Sequence, residues 1–310
     1  MNYIKKSEMN SKKTFCKICG SDKTRLHCKK KGYDVIKCRD CGCGFLDLSV
    51  KRINIDSFYQ NYYNETEQAC QESGYNDYYS LKDALMLTFQ KRINLINKYL
   101  NTSANKRSLL DIGCGPGFFL KSASSRFDVC GIELSKSASD YANNELSLNV
   151  INSSFATNIF GPEQFDVVTL WDTLEHLNDP HDVLNEISRI IKRGGLLAFA
   201  TGDFQSICAK LFEEKWHLLN VPEHLFFYTR KSIELLLKKQ GFEILHLSYP
   251  YSFYTLSYIA ERAAKSFNIP AEFTNSSALF LLKKIIIPLN LFDIMLVIAR
   301  RKENGNIAKK

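Results

Sequence analysis

A glycine-rich turn between an apolar run and the start of a helix constrains this chain most. Residues 109–120 read LLDIGCGPGFFL, with Gly113, Gly115 and Gly117 at every second position. The apolar run before Asp111 is typical of a strand that is buried on both faces of a parallel sheet. Glycines at this density let the backbone adopt positive φ and approach a ligand closely, and the N–H groups of the following helix point towards the turn. We therefore expect a ligand site over this turn.

The spacing of these glycines differs from two common phosphate-binding sequences. A dinucleotide fingerprint reads G-x-G-x-x-G and a P-loop reads G-x-x-x-x-G-K-[ST], and neither is present in this stretch. The observed D-x-G-x-G-x-G resembles motif I of class I methyltransferases that use S-adenosylmethionine (SAM). The resemblance implies that the loop backbone packs against the methionine part of SAM and that Asp111 helps to bind its ammonium group. The alternative is an ordinary glycine-rich turn from strand to helix.

An acidic residue ends the next predicted strand. Residues 128–135 read DVCGIELS and place Glu133 at the strand tip. A carboxylate roughly 20 residues after the glycine turn can accept hydrogen bonds from both hydroxyls of a ribose, as it does in dinucleotide-binding folds. Glu133 is therefore a predicted ribose ligand, and a solvated loop carboxylate is the alternative.

From residue 107 the sequence alternates strands with helices, which indicates a parallel sheet. The predicted strands are 108–112, 129–133, 149–152, 165–171, 195–201, 242–249 and 294–300. The predicted helices are 118–126, 135–147, 180–192 and 230–240, and Gly194 is expected to end the third one with a left-handed cap. The family resemblance implies a Rossmann-like α/β fold over residues 105–302, whose seventh strand runs antiparallel between the fifth and the sixth.

Two C-x-x-C pairs near the N-terminus have the spacing of a zinc site. Eighteen residues separate the pairs, which fits the pattern C-x₂-C-x₁₅₋₂₀-C-x₂-C. Four thiolates form a closed tetrahedral site of the structural kind, so we predict a small zinc ribbon over residues 1–52. The predicted ligands are Cys16, Cys19, Cys38 and Cys41. A redox dithiol is the alternative, and Cys43 could replace Cys41 as a ligand.

The positive charge of the chain is concentrated in this N-terminal segment. Residues 1–52 carry 14 Lys and Arg against five acids, whereas the whole 310-residue chain has a net charge of +8. A basic appendage could meet nucleic acid, an anionic sugar nucleotide or a membrane surface, or it could be a solubilising Lys-rich face. No apolar region of a secretory signal follows the Lys-rich N-terminus, and ten cysteines suit a reducing, cytoplasmic location.

Two further segments flank the predicted catalytic domain. Residues 53–104 are rich in tyrosine and contain a helical pattern over 81–100, so they predict a helical connecting or lid segment. Its tyrosines could line a substrate pocket or form a packing seam. Residues 250–293 read as an insertion with helices at 256–267 and 277–287, and its charges interrupt any run long enough to span a membrane. Residues 303–310 form a tail.

The segment after the fourth predicted strand resembles a second family motif. Residues 170–180 read LWDTLEHLNDP, similar to the EH-x-x-D-P segment of many small-molecule methyltransferases. Ligands of open α/β sheets bind at the carboxyl ends of the strands, so Trp171 and Asp172 should border the SAM pocket. His176 could be a general base or a structural residue of the following loop.

The resemblance also suggests how adenine is bound. Phe155 is a candidate to stack on the adenine ring, and Ser154 stands where many relatives place an acid for the adenine amino group. The complete set of predicted SAM-binding residues is Asp111, Gly113, Cys114, Gly115, Gly117, Glu133, Leu134, Ser154, Phe155, Trp171 and Asp172.

A glutamate–histidine pair follows the fifth predicted strand, next to the expected acceptor site. Residues 216–228 read WHLLNVPEHLFFY. They resemble a loop of sugar 3-C-methyltransferases that combine a four-cysteine zinc ribbon with this domain and use a Tyr-x-Glu-His motif, although Val221 stands here at the tyrosine position. His224 is a suitable general base near neutral pH, and the carboxylate of Glu223 could orient it. The alternative is a histidine that anchors the loop by hydrogen bonding.

These features predict a SAM-dependent methyltransferase with a structural zinc ion. The acceptor is expected to be an oxygen or carbon of a sugar, sugar nucleotide or related small molecule in glycan or secondary-metabolite synthesis, because such acceptors need a base. One alternative is an rRNA or tRNA methyltransferase that holds RNA with the basic ribbon, although enzymes acting on RNA bases often carry Asn/Asp-Pro-Pro-Tyr where this chain has DTLE. Another is a SAM-binding interaction protein without catalytic activity.

Overall fold

The computed structural model describes residues 14–49, 78–100, 106–266, 282 and 284–303. Its strands, in chain order, are β1 (Thr24–Lys30), β2 (Tyr33–Cys38), β3 (Gly44–Asp47), β4 (Arg107–Ile112), β5 (Phe127–Glu133), β6 (Val150–Asn152), β7 (Phe165–Trp171), β8 (Ile191–Gly202), β9 (Phe226–Phe227), β10 (Phe242–Ser248), β11 (Ser252–Thr255), β12 (Ile286–Leu289) and β13 (Ile294–Arg301). Its longer helices are α1 (Lys82–Tyr99), α2 (Phe118–Ala123), α3 (Lys136–Asn144), α4 (Pro180–Ile190), α5 (Ile207–Phe212), α6 (Arg230–Lys239) and α7 (Leu256–Ser266).

A seven-stranded sheet in the order β10-β13-β8-β7-β4-β5-β6 forms the centre of the molecule. The pairs among β4, β5, β6, β7 and β8 are parallel, whereas β13 runs antiparallel to both β8 and β10. This order confirms the predicted Rossmann-like sheet, with its last strand antiparallel between the fifth and the sixth. Apart from β8, each strand of the sheet begins and ends within two residues of its prediction.

Apolar residues on both faces of the central strands form the core. Leu109 and Val167 belong to the cluster on the face that carries Phe119, whereas the adjacent Leu110 and Val168 belong to the cluster on the opposite face. All four aliphatic side chains are fully buried. Because successive side chains of a strand point to opposite faces, an uninterrupted apolar run fits only a strand that is covered on both sides.

The predicted end of the third helix was wrong. The helix α4 ends at Ile190, and β8 begins at the next residue rather than after a left-handed cap at Gly194. Ile191 is fully buried and pairs with Phe165, so burial and strand pairing extend the sheet in front of the glycine. Gly194 does have a positive φ of 73°, but it lies where the register between β7 and β8 shifts, as expected of a bulge.

The N-terminal ribbon and the catalytic body share a sheet. The strands β1, β2 and β3 pair antiparallel in chain order, and β3 then pairs with β9, matching Gly44 with Phe227 and Phe45 with Phe226. Across the same contact, Thr229 Oγ1 donates to the carbonyl oxygen of Cys41 at 2.7 Å. The sequence did not predict β9, and this pairing fixes the ribbon to the loop that contains His224.

The connecting segment and the insertion are described in part. The helix α1 confirms the pattern over 81–100 and packs on α2 with Phe89 against Phe119, at 5.5 Å between ring centroids. The aromatic residues Phe58, Tyr59, Tyr62, Tyr63 and Tyr75 lie outside the described residues. In the insertion, α7 confirms the first predicted helix. Most of the second predicted helix, 277–287, also lies outside the described residues. Its predicted end was wrong, because β12 begins at Ile286 and pairs with β11. Among the helices that the structure describes, none has the length and apolar character needed to cross a bilayer.

Candidate active site

The glycine turn after β4 is folded so tightly that side chains are excluded from it. Gly113, Gly115 and Gly117 have φ values of 69°, 54° and 83°, which favour glycine. A Cβ on Gly113 would lie 2.7 Å from Thr173, and one on Gly117 would lie 2.6 Å from Leu148. The predicted turn is therefore present, and its close packing against Thr173 and Leu148 requires glycine at positions 113 and 117.

Glu133 lies against this turn at the end of β5. Its Oε2 accepts a hydrogen bond from the Gly115 N–H at 2.8 Å, and its Oε1 accepts one from the Ser135 N–H at 2.8 Å. The side chain is buried, and burial raises its pKa above the ordinary value. Each carboxylate oxygen has a second lone pair, so the group can still accept hydroxyl hydrogen bonds from a ribose.

Asp111 is buried in the floor of the same site. Its Oδ1 accepts a hydrogen bond from Thr169 Oγ1 at 2.6 Å. Burial, together with the negative charge of Glu133, raises the pKa of Asp111 to about 8. A ligand cation such as an ammonium group would stabilise the ionised form of this carboxyl group.

A buried arginine that the sequence analysis did not select faces the same region. Arg92 lies on α1, with its guanidinium carbon 4.6 Å from the centre of the Trp171 ring. Its positive charge opposes the effect of burial, which raises the pKa of Asp172. Arg92 occupies the buried face of α1 between Phe89 and Ile96. A charged residue within an apolar helical stripe was the signal that could have identified it.

Two buried N–H groups lie where α1 meets the end of β7. Within the described ranges, neither Trp171 Nε1 nor Arg92 Nε has a hydrogen-bond partner, although both side chains are more than nine-tenths buried. Buried donors without partners are costly in a folded protein. Because these two groups lie beside Asp111 and Asp172, they are suited to donate hydrogen bonds to a polar ligand.

The remaining predicted SAM ligands are spread around the turn. Cys114 is buried within the turn, whereas Leu134 follows Glu133 and is half-buried. Asn152 donates to the carbonyl oxygens of Glu133 and Leu134, which holds the ends of β5 and β6 together. Farther along, Phe155 is half-buried against the core and Ser154 is exposed. The structure thus brings most of the predicted set to one edge of the sheet, with Ser154 at its solvent-facing side.

Two histidines meet in the loops after β7 and β8. The rings of His176 and His224 lie 4.7 Å apart, nearly perpendicular to each other. His176 Nδ1 is 2.9 Å from the carbonyl oxygen of Glu223, and His224 Nδ1 is 2.9 Å from that of Leu218. Because a carbonyl oxygen can only accept, the proton of a neutral His224 lies on Nδ1, and its Nε2 keeps a lone pair. His176 has a second backbone acceptor at Asp172.

Burial determines the charge of both histidines. It lowers the pKa of His176 to about 4, and it lowers the pKa of His224 well below its ordinary value, with a smaller contribution from His176. Both rings are therefore neutral at pH 7. The backbone of Leu218, rather than the carboxylate of Glu223, holds Nδ1 of His224, and the carboxylate that clusters with the two rings is that of Glu175.

The four predicted metal ligands converge in the ribbon. The sulfur atoms of Cys16, Cys19, Cys38 and Cys41 lie within 4.8 Å of one another. Two of the separations, Cys16 to Cys41 and Cys19 to Cys38, are 3.5 and 3.6 Å, near the roughly 3.8 Å between sulfurs around a tetrahedral zinc ion. Cys43 is outside this group and directs its thiol to the Gly44 carbonyl oxygen.

Comparison with known proteins identifies the family. A sequence model of the methyltransferase domain matches residues 87–247, about half of the chain. The chain therefore belongs to the methyltransferase-domain family.

Individual relatives match a smaller region. The ubiquinone biosynthesis O-methyltransferase of Stutzerimonas stutzeri A1501 is 31% identical over 117 residues, which cover 36% of this chain and 50% of that protein. The enzyme of the same name from Pseudomonas fluorescens Pf0-1 is 33% identical with the same coverage. The chain thus spans about half the length of these curated relatives.

Similarity to solved structures extends further along the chain but shows the fold alone. The geranyl diphosphate C-methyltransferase of Streptomyces coelicolor A3(2), solved with Mg²⁺, geranyl diphosphate and S-adenosylhomocysteine (SAH), has a TM-score of 0.52. The two chains are 16% identical, and the match covers 81% of this chain and 99% of that one.

Proposed function

We propose that this enzyme transfers the methyl group of SAM to an oxygen or carbon of a sugar, sugar nucleotide or related small molecule, in glycan or secondary-metabolite synthesis. The observation that carries the proposal is the buried, neutral His224, whose Nδ1 is held by a carbonyl oxygen and whose Nε2 keeps its lone pair. Oxygen and carbon acceptors lose a proton on methylation, so they need such a base, whereas an amine can react without one. The names of the relatives, which include an O-methyltransferase and a C-methyltransferase, are compatible with both acceptor atoms.

SAM is a zwitterion at its methionine end, and the site offers charges of both signs. We assign the ammonium group to Asp111 and the carboxylate to the N–H donors of Arg92 and Trp171. Glu133 would accept the ribose hydroxyls. Phe155 and Ser154 would contact adenine, and the backbone around Cys114 and Leu134 would complete the pocket.

The reaction requires alignment of the acceptor with the methyl group of SAM and removal of a proton from the acceptor. The sulfonium of SAM is already a good leaving group, so alignment of the acceptor with the methyl carbon supplies much of the rate. His224 Nε2 would take the proton from the acceptor hydroxyl or carbon acid, and the products are the methylated acceptor and SAH. His176, whose ring packs against that of His224, would be a positioning residue, and Glu223 would fix it through its backbone carbonyl oxygen.

We also propose that Cys16, Cys19, Cys38 and Cys41 bind a structural zinc ion. Their sulfur separations fit a closed tetrahedral site, which supplies folding energy rather than chemistry. Because β3 pairs with β9, the metal would stabilise the loop that carries His224. The described cysteines are free thiols, in keeping with a cytoplasmic location.

The contacts of the ribbon favour this bracing role over RNA binding. Lys29 pairs with Asp34 at 3.1 Å, and the ammonium group of Lys30 donates to the Glu214 carbonyl oxygen at 2.7 Å. Part of the basic charge thus contacts the protein itself. An RNA-binding surface would instead direct its basic side chains to phosphates, with a steep dependence of binding on salt.

Mass spectrometry of SAH release tests the proposal. The purified full-length protein is incubated with SAM and either a panel of nucleotide sugars and ketosugars or bulk RNA. We expect SAH with a member of the small-molecule panel and none above background with RNA. SAH formed with RNA, and lost when the salt concentration is raised, would overturn the proposed acceptor class. Methyl transfer to either acceptor would exclude the alternative of a non-catalytic SAM-binding protein.

A further inference from the structure

A second group of metal-binding side chains lies outside the ribbon and the SAM site. Cys208 is on α5, His217 is in the loop that follows, and Asp293 directly precedes β13. Cys208 and His217 are nine residues apart, whereas Asp293 lies 76 residues farther along the chain. Their ligand atoms, one sulfur, one imidazole nitrogen and one carboxylate oxygen, lie within 4.8 Å of one another.

The spacing of His217 and Asp293 fits two ligands of one metal ion better than a hydrogen bond between them. His217 Nδ1 is 3.6 Å from Asp293 Oδ2, longer than a normal hydrogen bond of about 2.7–3.2 Å. Around a tetrahedral zinc ion, a nitrogen and an oxygen ligand would be about 3.3 Å apart and a sulfur somewhat farther. A closing movement of about 1 Å would therefore bring all three atoms into coordination.

The surrounding contacts hold two of the three ligands in place. Asp293 is only 2% exposed. Its Oδ2 accepts a hydrogen bond from Trp216 Nε1 at 2.9 Å, and its backbone oxygen accepts one from the Asp203 N–H at 2.7 Å. Arg262 donates to the backbone oxygen of His217 at 3.2 Å. Outer contacts of this kind orient the ligands of metal sites.

A nucleophilic triad is the other arrangement that cysteine, histidine and aspartate can form. In a triad the imidazole lies between the nucleophile and the carboxylate, because it accepts the proton of one and is oriented by the other. Here the thiol of Cys208 hydrogen-bonds to the carboxylate of Asp293 itself. The carboxylate of Asp293 thus neighbours both the thiol and the imidazole, an arrangement in which all three groups can bind one cation.

We propose that Cys208 Sγ, His217 Nδ1 and Asp293 Oδ2 bind a zinc-like divalent cation. Thiolate and imidazole together select zinc and similar metals over magnesium or calcium. Three protein ligands leave a fourth position for water or a substrate oxygen, in contrast to the closed four-cysteine site of the ribbon. His217 is partly exposed, with 27% of its side chain accessible, so an ion can reach the site.

The position of the cluster indicates a role in binding the acceptor, and this role rests on the proposed function. His217 directly precedes Leu218, whose carbonyl oxygen lies 2.9 Å from His224 Nδ1. The cation would therefore lie on the acceptor side, where its open position could bind an acceptor oxygen close to the base.

Zinc content tests the binding. The full-length wild-type protein, Cys208→Ser and His217→Asn are saturated with zinc, desalted and analysed by mass spectrometry of the metal. Each variant should hold one equivalent less than the wild type and bind zinc at least about 10-fold more weakly in competition with a chromophoric chelator. Cys130→Ser, which alters another half-buried free thiol, should match the wild type. Equal zinc content in all four proteins would overturn the proposal.

A spectroscopic measurement on the wild type tests the same site without depending on whether the variants fold. The protein is first given one equivalent of zinc, which the four-cysteine site should take preferentially, and is then titrated with Co²⁺. We expect visible d–d bands that saturate at one further equivalent, with a sulfur charge-transfer band, and an absence of these bands would contradict the proposal. Both measurements are made without SAM or acceptor, so their failure is distinct from a failure of the proposed methyl transfer.

Discussion

The proposed SAM side and the proposed acceptor side of this protein are built in different ways. On the SAM side, the glycine turn is held by a contact between residues that are close in sequence, the N–H of Gly115 and the carboxylate of Glu133, although Asp111 also bonds to the more distant Thr169. On the acceptor side, the loop of His224 is held by Glu175, whose carbonyl oxygen accepts from the Leu225 N–H, and by the ribbon strand β3. One side thus depends on a local motif, and the other on pairings between distant segments. Damage to the ribbon should therefore affect acceptor methylation more than SAM binding.

The largest expected effect is that of removing the ribbon metal with Cys38→Ser. Structural zinc contributes about 10–16 kcal/mol of apparent binding free energy in isolated zinc-finger peptides, so its loss should unfold the ribbon and release β9. We expect SAH release with the identified acceptor to fall below detection, while the Kd for SAM, measured by calorimetry, changes by less than about 10-fold.

The matched control for this variant is Cys28→Ala. Cys28 is a buried ribbon cysteine on β1, outside the group of four. It should keep both acceptor turnover and SAM binding. Equal loss of SAM binding and turnover in Cys38→Ser would contradict the expectation that the ribbon supports only the acceptor side.

Replacement of the base should have the next largest effect. In His224→Asn the side-chain amide can still donate to the Leu218 carbonyl oxygen, but the lone pair of Nε2 is removed. We expect kcat/KM for the acceptor to fall by about 10²–10⁴ with an unchanged Kd for SAM. His176→Asn, which retains the corresponding donor to Glu223, should cost less, and a near-normal rate in His224→Asn would assign that histidine to loop anchoring.

Arg92→Met should affect the SAM side instead. Loss of a charge-assisted hydrogen bond to the methionine carboxylate costs about 1.5–3 kcal/mol, so the Kd for SAM should rise by about 10- to 100-fold. Arg126→Met removes an exposed arginine that donates to Asn94, and it should leave the Kd unchanged. If both variants bind SAM normally, Arg92 has no contact with the cofactor.

The smallest expected effect is a pH dependence of stability from the buried histidines. The pKa of His176 is about 4 in the folded protein, below the ordinary value of about 6.5 that it regains on unfolding. Between these values the unfolded chain binds more protons, so stability is complete above about pH 6.5 and is lost as the pH falls towards 4. Urea unfolding should show a slope of up to about 1.4 kcal/mol per pH unit from this residue, and His176→Asn should reduce it.

The same difference between the two sides explains how far the sequence could predict the molecule. The strands β4, β5 and β7 and the glycine turn follow from local patterns, since an apolar run and the spacing of glycines each specify a short segment. The strand β9 could not be predicted from two phenylalanines, because its partner β3 lies about 180 residues earlier in the chain. Asp293 was missed for a related reason: it lies in an apolar stretch, and only tertiary packing brings it to Cys208 and His217. Arg92 could have been identified from its place on the apolar face of α1, but what it contacts depends on packing against Trp171.

We expect the ribbon to stabilise the acceptor loop, whereas the SAM side should fold independently of the ribbon. Hydrogen–deuterium exchange of wild-type and Cys38→Ser protein tests this expectation most directly. We expect the amides of Leu46 and of Phe226–Phe227, at the β3–β9 pairing, to lose protection in the variant. The amide of Gly113, bonded to the Ile132 carbonyl oxygen, should exchange as slowly as in the wild type. Unchanged protection at β9, or equal loss at Gly113, would contradict this expectation.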